Sequence, residues 1–363
     1  MKIALLNLPF DNNYGGNLQR YALMTVLQRM GHDVTHIFLR VHYSLPWHKA
    51  ITELPLRMIK KYILGQTLDI FWEKKYNVIE NTLADTVFPF YEKYIKHTAP
   101  VIDIQGLKVV AAEGYDVYMV GSDQVWREDM TRQIGIENYF FDFIDGTKDV
   151  KKIAYAVSLG SENNLFPRKI IPKLTYLYNQ FEAVSYRELS AKSIFSENEW
   201  IQPCPQLVLD PTMLLNAEDY EKVIIENDTH SLTHGRIYCY VLDQNDTVLN
   251  SIHNIAAKTT KEVIIDGINN IKTPTSIPQW LKNIHDAEYV ITDSYHGTVF
   301  SILFNKPFIF LGNERRGNTR IESLFTLLDI EQTNLNFIKC NDTVYSKLSM
   351  IRDESYSFLQ KNI

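Results

Sequence analysis

The chain opens with two short apolar runs separated by a segment of helical spacing, and this order restricts the fold more than any other feature. Residues 2–8 form an almost continuous apolar run, and residues 18–30 place an apolar side chain at every third or fourth position. Gly31 then ends the helical pattern, and residues 34–39 form the next apolar run. A strand, a helix and a second strand in this order predict a parallel sheet covered by helices on both faces.

The same alternation continues along the 363 residues and predicts two α/β domains. We expect a first Rossmann-like domain over 1–204, a second over 205–340, and a terminal helix over 341–363 that packs back on the first domain. The prolines Pro203, Pro205 and Pro211 mark the crossing between the domains. Further strands are expected at 115–120, 152–157, 183–185, 237–242, 263–266, 289–292 and 308–311.

Residues 44–98 interrupt this rhythm with prolines, many aromatic residues and two pairs of lysines, Lys60-Lys61 and Lys74-Lys75. The segment is interpreted as a helical insertion in the first domain. A second interpretation is contact with an anionic membrane, because 49–75 contains six basic and three acidic residues among several apolar ones. The first interpretation treats the same residues as an ordinary helical cover.

Composition excludes several classes of protein. The formal net charge is -6 and the basic residues are scattered, so no basic face for nucleic acid is expected. The three cysteines lie far apart without metal-ligand spacing, which argues against a zinc site or a disulfide framework and favours a reducing cytoplasm. No apolar run approaches the roughly 18 residues needed to span a bilayer. We expect neither a metal nor a cofactor.

The most informative motif lies at 289–301, where an apolar strand ends in a polar cluster and passes into a helix. Asp293, Ser294 and His296 follow the strand directly, and Gly297 allows a close approach of the backbone. Ligands of open α/β sheets settle at the carboxyl ends of the strands, where a histidine can transfer protons near neutral pH. A buried histidine with a satisfied hydrogen bond is the alternative.

A second loop, Asn13-Tyr14-Gly15-Gly16-Asn17, follows the first strand. Glycines at the start of a helix let backbone amides hold an anion. The alternative is a tight turn in which Asn17 caps the helix.

Charged residues follow three other strands. Asp123 comes after the strand at 115–120 and is expected to face the cleft or to cap the next helix. Arg187 follows the strand at 183–185. It is expected either to bind a carboxylate or phosphate through two hydrogen bonds or to form an internal ion pair with Glu188. The loop after 308–311 is rich in donors that suit an anion or a sugar, namely Arg315, Arg316, Asn318 and Arg320.

Taken in order, these motifs resemble the polysaccharide pyruvyl transferase family. The resemblance runs over about residues 1–330 and rests on the motifs Asn13 to Gly16, Gly121 to Trp126, Ser185 to Ser190, Leu209 to Thr212, and Asp293 to Gly297 followed by Ser301 and by Asn318 to Arg320. One departure is that some members carry an Arg-Leu pair where this chain has Ser294-Tyr295. Arg315, Arg316 or Arg320 is then expected to replace the missing arginine.

The resemblance implies an α/β fold of two Rossmann-like domains facing a cleft, like that of GT-B glycosyltransferases. It also implies transfer of the enolpyruvyl group of phosphoenolpyruvate onto two hydroxyls of a sugar in a bacterial surface or capsular glycan precursor, with a lipid-linked acceptor among the options. The expected products are a cyclic pyruvate ketal and phosphate, formed in the cytoplasm or at the inner face of the membrane.

The predicted catalytic residues are His296, which transfers protons, and Asp123, which orients His296 or an acceptor hydroxyl. Arg187 is predicted to hold the donor anion. The remaining predicted substrate-binding residues are Asn13, Tyr14, Gly15, Gly16, Ser294, Tyr295, Gly297, Arg315, Arg316, Asn318 and Arg320. Two alternatives stay open, a GT-B glycosyltransferase that uses a nucleotide sugar and a non-catalytic sugar-binding family member.

Overall fold

A computed structural model describes residues 1–363 with the exception of 41–44, 46, 67, 145, 147–148, 268–274, 313–317 and 333–335, and of the side chains of 75, 76, 79–81 and 83. The predicted residues Arg315 and Arg316 therefore lie outside the described residues.

The first half of the chain forms a parallel sheet that, among the described residues, has six strands in the order β2-β1-β3-β4-β5-β6. Its strands are β1 (Lys2–Leu6), β2 (Asp33–His36), β3 (Val117–Val120), β4 (Lys151–Val157), β5 (Ala183–Tyr186) and β6 (Gln206–Leu207). The helices of this half are α1 (Tyr14–Arg29), α2 (Trp47–Tyr62), α3 (Trp72–Tyr94), α4 (Ile104–Ala112), α5 (Ile171–Tyr178) and α6 (Ala191–Glu197). Helices α2 and α3 confirm the predicted helical insertion.

The second half forms another parallel sheet, which has four strands within the described residues, in the order β10-β9-β7-β8. Its strands are β7 (Ile237–Tyr240), β8 (Val263–Asp266), β9 (Tyr289–Thr292) and β10 (Phe308–Phe310). Its helices are α7 (Ala217–Ile225), α8 (Asp246–Thr259), α9 (Ile277–Asp286), α10 (Tyr295–Leu303), α11 (Thr319–Leu328) and α12 (Asp342–Asn362). The α/β class with two parallel sheets is therefore as predicted.

Strand β6 lies just beyond residue 204, where the predicted first domain ends, yet it belongs to the first sheet. Ser185 and Tyr186 pair with Gln206 and Leu207 in parallel register. The strand is short because prolines surround it, and proline cannot donate to a strand ladder. The chain leaves the first sheet only after this pair, so Asp210 lies at the sheet's edge with the other strand ends.

Helix α12 contacts the segment that connects the two sheets. The hydroxyl of Ser355 accepts a hydrogen bond from the Leu209 amide at 2.9 Å, and Arg352 Nε donates to the Met213 carbonyl at 2.8 Å. The Phe358 ring lies 6.1 Å from the ring of Tyr155 on β4 of the first sheet. The last helix thus holds the crossing segment against β4. The domain division itself stays a prediction.

The carboxyl ends of the two sheets face each other across a tight interface. Tyr14, at the start of α1, donates a hydrogen bond from its hydroxyl to the Thr275 carbonyl at 2.7 Å. Its ring also packs 5.5 Å from Trp280 in the second half. Polar residues that follow strands of both sheets are therefore brought to one place. Among the described residues, no helix has the length and apolarity needed to cross a bilayer.

Gly121, just after β3, offers a test of how tightly β3 and β4 are fitted. Its φ of +122° is strained for any side chain, and an added Cβ would lie 2.0 Å from the Tyr155 carbonyl oxygen. We expect Gly121→Ala to lower the free energy of unfolding by about 3 kcal/mol or more, measured by urea denaturation. Gly114→Ala is the matched control, because φ is +72° there but nothing lies within 4 Å. Its cost should stay near 1 kcal/mol, and equal losses would contradict the packing argument.

Candidate functional site

Four polar side chains meet where the two sheets face each other. Asp123, Arg187 and Asp210 follow β3, β5 and β6 of the first sheet, and His296 lies in the first turn of α10 after β9 of the second. All four are buried, with at most 9% of any residue exposed. This is the carboxyl edge at which open α/β sheets bind ligands.

Arg187 lies at the centre of this group, with only 1% of its side chain exposed. Its Nη1 donates to Asp210 Oδ2 at 2.5 Å and its Nη2 donates to Asp123 Oδ1 at 2.8 Å. Charge-assisted hydrogen bonds of this kind are about twice as strong as neutral ones. The guanidinium therefore ties together the ends of β3, β5 and β6 of the first sheet.

These ion pairs set the charge states of both aspartates. Burial raises the pKa of Asp123 and of Asp210, but the nearby cations outweigh burial and hold each pKa below its ordinary value. For Asp123 the cations are mainly Arg187 and Arg320, whereas for Asp210 the neighbouring His296 ring and the Arg187 cation lower the pKa. Both carboxylates are thus ionised at neutral pH.

Glu188, the alternative partner predicted for Arg187, is occupied elsewhere. Its Oε1 accepts from the Ser158 hydroxyl at 2.7 Å and from the amides of Leu159 and Gly160 at 2.9 and 3.2 Å. Its Oε2 lies 3.6 Å from Arg187 Nε, farther than either aspartate oxygen lies from the guanidinium. Glu188 therefore mainly fixes the loop that follows β4.

His296 lies between the two halves of the molecule. Its Nε2 is 3.8 Å from Asp210 Oδ1, which is within ion-pair range but too long for a hydrogen bond. This buried nitrogen has no hydrogen-bond partner among the described atoms. On its other side the ring rests on Gly15, where an added Cβ would lie 1.9 Å from Nδ1. The imidazole is thus held beside a carboxylate, with Nε2 facing Asp210 and without a hydrogen bond.

Tyr295 presents its ring to both arginines of the site. The guanidinium carbons of Arg187 and Arg320 lie 4.9 and 5.9 Å from the ring centroid. Nη1 of Arg320 is also 3.7 Å from Asp123 Oδ1, and 18% of the Arg320 side chain is exposed. Burial and the neighbouring Arg187 lower the pKa of Arg320 from its ordinary value. Arg320 is therefore the more accessible of the two cations.

The glycine loop differs from its prediction. Helix α1 begins at Tyr14 and places Gly15 and Gly16 in its first turn, and the cap is Asn13, whose side chain accepts from the Gly16 amide at 3.2 Å. Asn17 is an interior helix residue, so the interpretation of Asn17 as the cap is wrong. A small pocket lies beside this turn, lined by residues that include Asp11, Asn13, Gly16, Arg20 and Asp123.

The start of α10 is built in the same way. The Ser294 hydroxyl accepts from the Gly297 amide at 3.3 Å and caps the helix. A Cβ on Gly297 would lie 2.3 Å from Thr292 Oγ1, so only glycine fits there without displacement. Asp293 accepts from the amides of Leu242 and Asp243 at 2.7 and 3.1 Å. Its carboxylate therefore fixes the loop after β7.

Comparison with known proteins identifies the family. The family model described as "Polysaccharide pyruvyl transferase" matches residues 13–315. The chain belongs to this family. A comparison with the curated proteins finds no match.

Solved structures confirm the GT-B-type architecture of this family member. A co-structure of S. aureus MnaA with UDP is similar at a TM-score of 0.52 and 12% identity, covering 99% of this chain and 91% of that one. A putative UDP-N-acetylglucosamine 2-epimerase from Listeria monocytogenes gives a TM-score of 0.51 and 10% identity, with the same coverage of 99% and 91%. At such low identity the likeness concerns the fold alone.

For this pyruvyl transferase family member, the structure brings most of the predicted site residues together and changes several of their expected partners. Asp123 does not cap a helix, because it has a φ of +77° and accepts from Arg187. The direct grip of Arg187 on a substrate anion does not fit, because two carboxylates cover its buried guanidinium. Tyr14 serves the contact between the two halves, and Asn318 stands at the start of α11 two residues before Arg320.

Two residues of the cluster received no predicted role. Asp210 contacts both Arg187 and His296, and Gln19 on α1 donates from Nε2 to Asp210 Oδ2 at 2.6 Å and to Ser122 Oγ at 3.2 Å. Asp210 could have been predicted as a site residue, because it follows a short apolar strand. The prolines around that strand indicated a linker instead. Gln19 has no such signal, because only the fold brings its helix to this edge.

Asp210→Asn tests the buried ion pair. The substitution takes away the carboxylate that faces both Arg187 and His296 and leaves Arg187 with Asp123 alone at hydrogen-bond distance, and we expect the free energy of unfolding at pH 7 to fall by about 3–5 kcal/mol. Because the folded-state pKa of Asp210 lies below its ordinary 3.8, the difference from wild type should be complete above about pH 5 and shrink as the pH falls through 3.8. Urea unfolding from pH 7 to pH 3 measures it.

Asp33→Asn is the control for this experiment. Asp33 pairs with Lys96 at the surface, where both side chains are more than half exposed. Surface pairs contribute roughly 0–1 kcal/mol. A loss in Asp210→Asn no larger than that in Asp33→Asn would show that Arg187 does not depend on Asp210.

Proposed function

We propose that this family member transfers the enolpyruvyl group of phosphoenolpyruvate to two hydroxyls of one sugar and releases inorganic phosphate. The observation that carries the proposal is the buried carboxylate of Asp210, which contacts Arg187 and His296 at once. The family implies a transferase that acts on a sugar or polysaccharide acceptor. A histidine beside a fixed carboxylate and two arginines suits proton transfer on an anionic donor.

The reaction needs two proton additions and two proton removals. Protonation of C3 of the enol phosphate makes C2 electrophilic, and the first sugar hydroxyl adds to C2 and loses its proton. The C2–O bond to phosphate then breaks, and the departing phosphate takes up a proton. The second hydroxyl adds to C2, loses its proton and closes the ketal. Each addition places positive charge on the attacking hydroxyl oxygen, which a nearby base relieves by taking the proton.

His296 is the proposed proton carrier for these steps. Its Nε2 has no hydrogen-bond partner in the described structure, and Asp210 at 3.8 Å stabilises the imidazolium formed when the ring takes a proton. Asp210 thus takes the orienting role that the sequence assigned to Asp123. Asp123 remains a candidate contact for an acceptor hydroxyl, because 13% of its side chain is exposed beside the pocket.

Arg320 is the proposed contact for the donor anion, and Arg187 is proposed to contribute positive charge without touching the donor. Arg187 supplies a fixed positive charge but offers no surface to a ligand, whereas Arg320 is partly exposed on the same tyrosine ring. Two helix starts, at Ser294 and at Asn13, add partial positive charge beside the site. Asn13, Gly16 and Ser294, whose own amides bond within the protein, are accordingly proposed to line the donor site at these starts.

The acceptor is proposed to be a precursor of a bacterial surface or capsular glycan, modified in the cytoplasm or at the inner face of the membrane without a cofactor. This part of the proposal follows from the family and from the chemistry, since the donor itself supplies the carbon unit and the leaving group.

His296→Gln tests the proton carrier. With an acceptor that the wild-type protein uses, found among p-nitrophenyl hexosides and nucleotide-linked hexoses, we expect phosphate release from phosphoenolpyruvate to fall at least about 100-fold. Phosphate is measured directly, and a thermal-shift assay checks that the variant still binds phosphoenolpyruvate. Unchanged phosphate release would remove His296 from the mechanism.

Arg320→Gln tests the donor contact. Phosphoenolpyruvate at roughly 100 times its Kd should stabilise the folded wild-type protein by about 2.7 kcal/mol, and this shift should vanish in the variant. The control is Arg236→Gln, which removes an arginine that pairs with Glu262 at the surface, and it should respond like wild type. Stabilisation only by a nucleotide sugar would support a glycosyltransferase. Binding of a sugar acceptor without turnover would support a non-catalytic family member.

A further inference from the structure

Helix α2 touches the rest of the protein along one narrow edge. None of its residues is buried. Its half-buried residues are Ala50, Leu54, Arg57 and Lys61, which follow a spacing of four, three and four and thus lie on a single side. Arg57 fastens this side through bonds from Nη2 to Glu73 Oε1 at 2.8 Å and from Nη1 to the Ile70 carbonyl at 3.0 Å.

The adjoining side of α2 exposes a stripe of large apolar residues, which we call the α2 stripe: Trp47, Ile51, Met58 and Tyr62. Their exposed fractions are 78%, 66%, 44% and 72%. The spacing of four, seven and four residues puts all four on one face of the helix. Single exposed apolar residues are common on proteins, but a continuous apolar face marks a surface that contacts another phase or partner.

Further large apolar residues are exposed just beyond the helix. Ile63 and Leu64 are 74% and 62% exposed, and Phe71 and Trp72 at the start of α3 are 60% and 40% exposed. Two tryptophans and a tyrosine are thus exposed on this insertion. Tryptophan and tyrosine are the side chains that settle best at the boundary between water and lipid, because each has an apolar ring and a polar group.

The charges near the stripe are mostly positive. Lys61 lies on the half-buried side of α2 and Lys74 on the first turn of α3, whereas the helical spacing places Lys49 and Lys60 on the side of α2 away from the stripe. The carboxylate of Glu73 is held by Arg57, which lowers its pKa below the ordinary value. This local excess of lysine stands out on a chain whose formal net charge is -6. Negatively charged lipid headgroups complement it.

We propose that α2 lies flat on an anionic lipid bilayer, with the α2 stripe in the headgroup and acyl boundary and the nearby lysines attracted to the headgroups. Amphipathic helices of this kind bind through apolar burial together with attraction to anionic lipid. Contact with a second copy of the chain is disfavoured, because it would bring two such groups of lysines together. The proposal does not depend on the reaction chemistry and stands or falls separately from it.

Cosedimentation with vesicles tests the proposal on the full chain. We expect wild type to sediment with vesicles of phosphatidylcholine and phosphatidylglycerol in equal parts and to remain in the supernatant with phosphatidylcholine alone. Binding should weaken as salt rises, because screening reduces the attraction to the headgroups. Binding that is equal on both kinds of vesicle, or absent from both, would overturn the proposal.

Two sets of variants separate the apolar and the charged contributions. Trp47→Ser combined with Ile51→Ser and Tyr62→Ser should abolish sedimentation, whereas Tyr176→Ser with Ile225→Ser, which removes similarly exposed residues elsewhere, should not. Replacement of Lys60, Lys61 and Lys74 by glutamine should weaken partitioning roughly 100-fold, since each lysine near the surface contributes about 1 kcal/mol. Glutamine at Lys192, Lys222 and Lys258 serves as the control.

The stripe variant also shows whether the wild-type surface binds lipid or a second copy of the chain. Thermal unfolding midpoints equal to wild type establish that the variants are folded. Sedimentation unchanged in the stripe variant would overturn the proposal. A dimer of the wild type would also overturn it, if light scattering shows that the dimer depends on concentration and is lost in the stripe variant, and if the wild type does not bind the vesicles. That result would assign the surface to a second copy of the chain.

Discussion

The bidentate hold of Arg187 on Asp123 and Asp210 is the interaction on which the site depends. Each aspartate follows a different strand of the first sheet, and the guanidinium joins both at hydrogen-bond distance. A buried arginine without partners would be costly, and the same holds for each buried carboxylate. The three strand ends are therefore stable only together, and their backbones are fixed relative to one another by charge as well as by the sheet.

This ion-pair network also connects the first sheet to the second. Asp210 uses one oxygen for Arg187 and Gln19 and turns the other toward His296 on α10, at 3.8 Å. Any shift of α10 away from the first sheet would remove His296 from its carboxylate. The environment of the imidazole therefore depends on the distance between the halves. A substrate that drew the halves together would also change the surroundings of His296, the proposed proton carrier.

Sequence predicted the strands well and the partners of the site poorly. β8 and β9 lie at the predicted 263–266 and 289–292, because apolar runs bounded by polar residues leave little choice. Helix α1 begins at Tyr14, four residues before the predicted start at Leu18. Its first turn was not predicted because it contains two glycines, which disfavour a helix. Glycine is needed at position 15 despite this cost, because the His296 ring occupies the space that a side chain would fill. Asp210 received no role because the prolines around its short strand indicated a crossing between domains.

The two helix starts bear on how this cleft, with its many carboxylates, would attract the anionic donor proposed for it. Arg187 and Arg320 carry two positive charges against the negative charges of Asp123, Asp210 and Glu188, which leaves no excess of full positive charge. The first turns of α1 and α10 meet at Gly15 and His296, and each adds partial positive charge from backbone amides that no acid in the first turn neutralises. Attraction for the anion then comes from fixed dipoles, which need no reorganisation as the reaction proceeds.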